Sequence, residues 1–269
     1  MSDVSSTITP PPSAGYARVG ALEMYYQTYG EGRPLVLLHG GLLTIESFGG
    51  LIPALAARRQ VIAVELQGHG RTADIDRTPS PEHFADDVAA LLDHLGIARA
   101  DVFGYSLGGL VALQLAIARP ERVDRLVLGS THYRHDGYHA EIFDARTPPG
   151  SRRMPTEQDF QDMHDAYVRV APDPGHFQVF ADKLSSVVGT FEGWPAEALA
   201  AVTAPTLLLV GDTDFVRLEH AAEMHGLIPD ARLGVLPATT HMELLRRTDL
   251  LLPMLEAFLD PAAVRGAEA

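Results

Sequence analysis

Short apolar runs alternate with helical segments along most of this chain. Six of the runs are continuous, which is the form a strand takes when both of its faces are buried. They cover residues 34–38, 60–64, 101–103, 125–128, 206–210 and 232–236. Strands separated by helices pair in parallel through right-handed crossovers. The sequence therefore predicts an α/β protein built on a doubly wound, mostly parallel sheet.

Capping signals and apolar spacing indicate helices between these strands. Ser80, followed by Pro81 and Glu82, predicts a helix start. Apolar residues then repeat at helical spacing until Gly96. Further helices are predicted at residues 47–58, 107–118 and 250–258.

A β-hairpin is predicted before the first continuous run. Residues 16–19 and 22–29 have the alternating pattern of a half-buried strand pair and turn at Gly20. Together with the six continuous runs, this hairpin gives a sheet of eight strands.

One long stretch interrupts the alternation of strands and helices. Residues 132–203 contain no convincing buried strand, so we expect a helical insertion there, placed as a cap over the sheet. Residues 1–15 are polar and end near three prolines, which predicts a flexible N-terminal arm. Residues 16–131 and 204–269 then form the core.

Composition narrows the classes of function. A formal net charge of −14 argues against binding to nucleic acid or to an anionic membrane. The absence of cysteine excludes disulfides, thiolate metal sites and cysteine nucleophiles. Residues 1–15 lack the basic and apolar regions of a secretion signal, and no stretch approaches the length of a membrane span. We expect a cytoplasmic protein, and the sequence carries no signal of its oligomeric state.

A serine lies in the segment Gly104-Tyr105-Ser106-Leu107-Gly108, between a predicted strand and a predicted helix. A sharp strand-to-helix turn lifts the central side chain out of the chain, and it points the next amide, that of Leu107, at the group the serine attacks. Ser106 is therefore a candidate nucleophile. A glycine-rich turn before a buried helix is the alternative interpretation of this segment.

Polar residues also follow the carboxyl ends of other predicted strands. His39-Gly40-Gly41 follows the first continuous run, Gly211-Asp212-Thr213-Asp214 follows the fifth, and His241 lies shortly after the sixth. Ligands of open parallel sheets bind beyond these strand ends. A nucleophile, an acid and a histidine are therefore expected at one edge, in the chain order Ser, Asp, His.

These residue types suit nucleophilic catalysis. A serine hydroxyl is a poor nucleophile unless a neutral imidazole accepts its proton, and His241 is the candidate base. A carboxylate behind the imidazole fixes its tautomer and stabilises the imidazolium. Asp214 and Asp212 both compete for this role, and Asp212 has the simpler interpretation of a turn residue that bonds its own backbone. The amide of Leu107 is a candidate donor to the developing oxyanion.

The segments around His39, Ser106, Asp214 and His241, with Gly68-His69-Gly70-Arg71-Thr72, resemble the α/β-hydrolase superfamily over residues 16–259. The resemblance implies an eight-stranded sheet with a helical cap. It also implies an esterase- or lactonase-like serine enzyme without a cofactor.

The resemblance also bears on individual residues. It favours Asp214 as the acid, because similar proteins carry it three residues after the glycine, and it implies Gly41 as the second oxyanion donor. His69 is expected to be structural. Glu65 stands where similar sequences often have aspartate, and its extra methylene is expected to change how the carboxylate braces the turn before His69.

Two further groups of residues are weaker candidates. Leu42, Leu43, Met242 and Trp194 are candidates for an acyl pocket, although ordinary core packing accounts for each. Four possible metal ligands cluster at the entrance to the predicted cap: His132, His135, Asp136 and His139. Gly137 argues against the helix that would align them, so surface or pocket-lining histidines are the simpler interpretation. We expect no metal, and we expect His39 to brace its loop.

The predicted function is hydrolysis of a small carboxylic ester or lactone through an acyl-enzyme on Ser106. Acyl transfer to an alcohol or peroxide, or hydrolysis of a carbon–carbon bond, would use the same three residues. A ligand receptor with a vestigial triad is the alternative from another class. A narrow apolar pocket under residues 132–203 would favour short acyl esters, and a roomy polar one would favour lactones or bulkier substrates.

Overall fold

The computed structural model describes residues 13–142 and 151–260, without the side chains of residues 187–189. Within these ranges the chain forms eight strands. They are β1 (Ser13–Val19), β2 (Leu22–Tyr29), β3 (Pro34–Leu38), β4 (Gln60–Val64), β5 (Ala100–Tyr105), β6 (Val123–Gly129), β7 (Thr206–Thr213) and β8 (Ala231–Thr240). The helices are α1 (Leu51–Ala56), α2 (Pro81–His94), α3 (Leu107–Ala118), α4 (Glu157–Val170), α5 (Phe177–Thr190), α6 (Ala196–Ala200), α7 (Leu218–Leu227) and α8 (Thr248–Leu259).

The strands form one sheet in the order β1-β2-β4-β3-β5-β6-β7-β8. β1 pairs with β2 and β2 with β4 in antiparallel fashion, and every later pair is parallel. All six residues of β5, at the centre, are buried. The predicted doubly wound, mostly parallel sheet is confirmed. The physical reason is that strands with two apolar faces must be covered by helices on both sides of the sheet.

Alternate residues of the central strands pack into two different layers. Val36 of β3 belongs to the layer that contains α2 and α3, whereas Leu35 belongs to the layer that contains α1 and α8. Full burial of such a side chain contributes about 1.5–3 kcal/mol. The continuous apolar runs of the sequence therefore supply both layers of the core.

Capping determines where the helices begin and end. The Ser80 hydroxyl accepts a hydrogen bond from the His83 amide at 3.2 Å, so α2 begins where the sequence predicted. The helix predicted over residues 47–58 is wrong in its extent. Gly49, with φ 45°, ends a 3-10 turn at Phe48, and α1 starts only at Leu51.

The segment between β6 and β7 contains α4, α5 and α6 with short 3-10 turns, and its described part contains no strand. Residues 143–150 lie outside the description, and the division of the chain into core and cap stays a prediction. The boundary of the predicted arm is wrong by three residues, because β1 already begins at Ser13. Residues 1–12 of that arm, and residues 261–269, lie outside the described ranges. None of the described helices is long and apolar enough to cross a membrane.

A buried arginine ties the last helix to the sheet. Arg59, only 2 % exposed, donates to the Asp101 carboxylate in β5 and, at 2.7 Å, to Asp260 beyond α8. It also donates to the Leu259 carbonyl at 2.6 Å. Because Asp101 is buried too, removing the guanidinium would leave a carboxylate without its main counter-charge.

Candidate active site

The turn from β5 to α3 places Ser106 in a strained conformation. Ser106 has φ 53° and ψ −116°, a region that costs a non-glycine residue about 1–3 kcal/mol. A Cβ on Gly104 would overlap the Gly108 carbonyl, and one on Gly108 would overlap the Leu38 carbonyl. Both glycines are therefore required by close approach of backbone. The Ser106 amide donates to the Gly129 carbonyl at 2.8 Å, which anchors the turn to β6.

His241 lies directly after β8 and contacts Ser106. Its Nε2 is 3.0 Å from the Ser106 hydroxyl, and its Nδ1 is 2.8 Å from Asp214 Oδ1. Because a carboxylate only accepts, Nδ1 carries the proton and Nε2 is left to accept from the serine. Phe215 stacks on the imidazole with ring centroids 4.0 Å apart, and Tyr105 donates its hydroxyl to the His241 carbonyl at 2.6 Å.

Asp214 is buried among hydrogen-bond donors. Besides His241, its carboxylate accepts from the Ser130 hydroxyl and from the amide of Val216 at 3.2 Å. Burial would raise the pKa of Asp214, but its electrostatic interaction and hydrogen bond with His241, together with the hydrogen bonds from Ser130 and Val216, hold it below the usual value. Asp214 is therefore ionised at neutral pH.

Asp212, the competing acid, lies on the protein surface. It accepts hydrogen bonds from the amides of Ala238 at 2.9 Å and Thr239 at 3.1 Å, at the point where the pairing of β7 and β8 shifts register. These bonds lower the pKa of Asp212. The structure therefore brings Asp214, and not Asp212, to His241. Asp212 binds the backbone of the neighbouring strand β8, whereas the sequence suggested that it would bond to the backbone of its own turn.

The two predicted oxyanion donors lie next to each other beside Ser106. Leu107 is the first residue of α3, so its amide has no carbonyl within the helix to donate to. A Cβ on Gly41 would lie 3.9 Å from the Leu107 Cβ and 3.3 Å from Leu184. Their role toward an oxyanion stays a prediction.

His39 holds the loop that carries Gly41. Its Nδ1 is 2.8 Å from the Gly40 carbonyl and must donate, while its Nε2 accepts from the Leu66 amide at 3.2 Å. Only the neutral ring satisfies both bonds. Burial lowers the pKa of His39 to about 4, so the ring is neutral at pH 7.

A cavity of about 230 Å³ opens beside Ser106 and His241. Its other lining residues are Gly40, Gly41, Leu42, Leu43, Tyr105, Leu107, Leu110, His132, Tyr138, Ile142, Pro155, Met163, Leu184, Phe191, Phe215 and Met242. Most of these side chains are apolar. Leu42, Leu43 and Met242, which the sequence proposed for this pocket, line it.

Trp194 does not line the cavity, so its proposed pocket role is wrong. It is buried behind Phe191, with ring centroids 4.9 Å apart, and its Nε1 donates to Gln114 at 2.7 Å. Met163 of α4 and Leu184 of α5 also line the cavity and were not predicted from the sequence. Both occupy apolar positions of a helix, and such positions do not distinguish a cavity-lining side chain from a core side chain.

Glu65 braces the turn that carries His69. Glu65 accepts from the amide and, at 2.8 Å, from the guanidinium of Arg71, and its carboxylate occupies the space that a Cβ on Gly70 would need. Burial raises the pKa of Glu65 to about 7 against the opposing effect of Arg71. His69 packs edge-on against Phe180 of α5 at 4.9 Å, which joins this turn to the segment above the sheet.

The histidines at the start of the predicted cap do not converge on one point. His132 packs against Tyr138 with ring centroids 4.0 Å apart, and His139 is only partly buried. Across the two described ranges, no three side chains of histidine, aspartate or glutamate are grouped as metal ligands.

Comparisons with known proteins agree with this architecture. The family model of the alpha/beta hydrolase fold matches residues 33–168, and the chain belongs to that family. A candidate carbamate hydrolase, RutD, from Azorhizobium caulinodans is 29% identical over 242 residues, covering 81% of this chain and 88% of the relative. A non-heme haloperoxidase from Rhodococcus erythropolis is 29% identical over 253 residues, covering 81% and 89%.

Solved structures extend the likeness to nearly the whole chain. The enol-lactonase from Burkholderia xenovorans superposes with a TM-score of 0.73 at 22% identity, covering 91% of this chain and 99% of its own. At that identity the likeness is one of fold. Membership of the alpha/beta hydrolase family does not specify the reaction or the substrate of this protein. Those must be inferred from the residues of its own site.

Proposed function

We propose that this protein is a serine hydrolase that cleaves a small carboxylic ester or lactone. The observation that carries the proposal is the continuous chain of hydrogen bonds beside a largely apolar cavity. It runs from the Ser106 hydroxyl to His241 over 3.0 Å and from His241 to the ionised Asp214 over 2.8 Å. Serine, neutral imidazole and carboxylate in this order are the parts of an activated nucleophile.

The proposed reaction has two halves. The Ser106 oxygen attacks the acyl carbon while His241 Nε2 takes its proton, and Asp214 stabilises the imidazolium. The amides of Gly41 and Leu107 donate to the oxyanion. Collapse of this intermediate breaks the bond to the leaving oxygen, which receives the proton from His241. Water, deprotonated by His241, then releases the acid and restores Ser106.

The cavity indicates a short and largely apolar acyl group. A cavity of about 150 Å³ can hold benzene, so one of about 230 Å³ has room for roughly nine non-hydrogen atoms. Leu110, Met163 and Leu184 lie on its walls, so a charged acyl chain would lose its hydration there. Small esters and lactones with uncharged acyl parts fit these constraints.

The first experiment measures hydrolysis of p-nitrophenyl esters of increasing acyl length, together with small lactones. Activity is expected to peak at short acyl chains. Ser106→Ala is expected to lower kcat by about 10³-fold or more and to abolish labelling by a fluorophosphonate. Folded protein that hydrolyses none of these substrates and whose Ser106 stays unlabelled would show the proposal to be wrong.

The two aspartates provide a matched pair of variants. Asp214→Asn is expected to lower kcat by roughly 10³–10⁴-fold, because the amide no longer favours the imidazolium or its working tautomer. Asp212→Asn carries the same change on the surface and is expected to keep kcat within about threefold, since its partners are backbone amides of β8. A large loss in Asp212→Asn with none in Asp214→Asn would reverse the assignment.

Acyl transfer is a second candidate function. The specific observation in its favour is the mostly apolar lining around Ser106, which disfavours water near the acyl-enzyme. The likeness to a protein named a non-heme haloperoxidase makes hydrogen peroxide, besides an alcohol, an acceptor to test in place of water. Product analysis with methanol or peroxide competing against water decides between the two: hydrolysis predicts the free acid as the main product.

A further inference from the structure

His132 is a buried polar side chain that the proposed reaction does not use. It follows β6 by three residues, is only 2 % exposed and lines the cavity beside Ser106. The preceding residue, Thr131, donates its hydroxyl to the Ser106 carbonyl at 3.1 Å, so this stretch of chain is held against the serine turn. His132 is therefore fixed near the place where an acyl group would lie.

No hydrogen bond is found for either ring nitrogen of His132 within the described ranges, and Nδ1 is buried without a partner. The ring instead packs against Tyr138, at 4.0 Å, and edge-on against Phe191, at 6.1 Å. An unsatisfied buried polar group destabilises the folded protein, whereas leucine or phenylalanine would fill the same space without that cost. A ligand oxygen in the cavity would bond to Nε2, the ring nitrogen that is not fully buried.

The surroundings keep the imidazole uncharged. Burial, and to a lesser extent the neighbouring His220, His135 and His241, lower the pKa of His132 to about 3. At neutral pH the ring therefore offers one donor and one acceptor but no positive charge. Such a group suits a ketone or hydroxyl oxygen better than a carboxylate, which needs a counter-charge in an apolar site.

We propose that His132 determines substrate specificity by a hydrogen bond to an uncharged oxygen, a ketone or hydroxyl, carried on the acyl chain bound at Ser106. This inference rests on the proposed hydrolase function. It narrows the substrate class to short oxo- or hydroxyacyl esters and the corresponding lactones. His132 acts in it as a recognition residue and takes no part in bond breaking.

The test compares three p-nitrophenyl esters that share one leaving group: pentanoate, 4-oxopentanoate and hydrogen glutarate. The wild-type protein is expected to prefer the oxo ester over the plain ester by about tenfold in kcat/KM, the value of one buried hydrogen bond of about 1.4 kcal/mol. The glutarate, which carries a carboxylate, is expected to be the poorest substrate. A wild-type preference for the glutarate, or equal rates on the two uncharged esters, would overturn the inference.

Variants separate recognition from packing. His132→Phe and His132→Leu are expected to bring the oxo-to-plain ratio close to one, while His132→Gln, which retains a donor and an acceptor, keeps part of the preference. Phe191→Leu changes an apolar wall of the same cavity and is expected to alter both rates by similar factors. If His132→Phe does not fold, the comparison is made between the wild type and the folded variants His132→Leu and His132→Gln. An unchanged ratio in either apolar variant contradicts the role of His132.

The two proposals fail in different ways. Hydrolysis of both uncharged esters through a labelled Ser106, with a ratio near one, overturns the role of His132 alone. Absence of hydrolysis and of labelling in the folded protein overturns the serine hydrolase proposal and this inference with it.

Discussion

Acidification tests whether His39 is the neutral, buried brace of the loop that carries Gly41. The side chain is fully buried, and both of its hydrogen bonds require the neutral ring. Its pKa falls from the ordinary 6.5 to about 4 in the folded protein. Between these two values the unfolded chain binds a proton that the folded chain does not, so stability is lost as the pH falls.

The size of the loss follows from the two pKa values. Between pH 7 and pH 5, a histidine that titrates at 6.5 unfolded and at about 4 folded removes about 2 kcal/mol from the free energy of unfolding. Glu65 acts in the opposite direction, because its raised pKa of about 7 makes the folded state take up a proton over the same range. The pH dependence of the free energy of unfolding of the wild type therefore combines opposing contributions from His39 and Glu65.

A substitution isolates the contribution of His39. His39→Gln retains an acceptor for the Leu66 amide but does not titrate, so its loss of stability from pH 7 to pH 5 is expected to be about 2 kcal/mol smaller than that of the wild type. Urea unfolding at both pH values, followed by circular dichroism and by the fluorescence of Trp194, measures the difference. His225→Gln, on the exposed face of α7, controls for the substitution itself. Equal losses in the wild type and His39→Gln would refute the reasoning.

Three further predictions concern stability and activity. Arg59→Met is expected to lower the free energy of unfolding by about 3–5 kcal/mol, measured by urea unfolding, because Asp101 stays buried without its main partner. Ser130→Ala is expected to lower kcat about tenfold with little change in KM, measured on the best p-nitrophenyl ester, because Asp214 loses a hydrogen bond to its charged form. Gly108→Ala is expected to yield little folded protein, measured by soluble yield and circular dichroism, because its Cβ would overlap the Leu38 carbonyl.

Each of these predictions has a result that would contradict it. A double variant Arg59→Met/Asp101→Leu is expected to regain much of the stability, and failure to do so would show that the buried charge is not the cause. Ser130→Thr is the matched control that keeps the hydroxyl, and equal kcat in Ser130→Ala and the wild type would remove Ser130 from the support of Asp214. A wild-type melting temperature in Gly108→Ala would contradict the close approach at this turn.

The order of strands and helices was predictable because it depends on local patterns. The predicted runs all fall within strands, but several strands extend beyond them. β8 was predicted to end at residue 236 and continues to Thr240, because pairing with β7 resumes at Thr213 after the register shift. Hydrogen bonding along the sheet, which has no signature in hydrophobicity, sets these ends. The helix predicted over residues 47–58 failed for a local reason, the backbone of Gly49.

The candidate site was predictable where a single turn defines it. The glycines around Ser106 indicated a strand-to-helix turn, and the structure places that turn between β5 and α3. Spacing alone did not decide between Asp212 and Asp214, since both follow the same strand. The shift in pairing between β7 and β8 places Asp212 against the backbone of β8 and leaves Asp214 facing His241.

The sequence by itself determined the parallel sheet, the serine turn and the sheet edge at which a serine, an aspartate and a histidine meet. These features follow from patterns within a few neighbouring residues. Only the tertiary structure decided that Trp194 packs behind the cavity and that His132 lines it with no hydrogen-bond partner for its Nδ1 in the described part of the chain. A cavity is the space left between side chains of segments far apart in the chain. Its shape and polarity therefore depend on how helices such as α4 and α5 pack over the sheet, which no local pattern records.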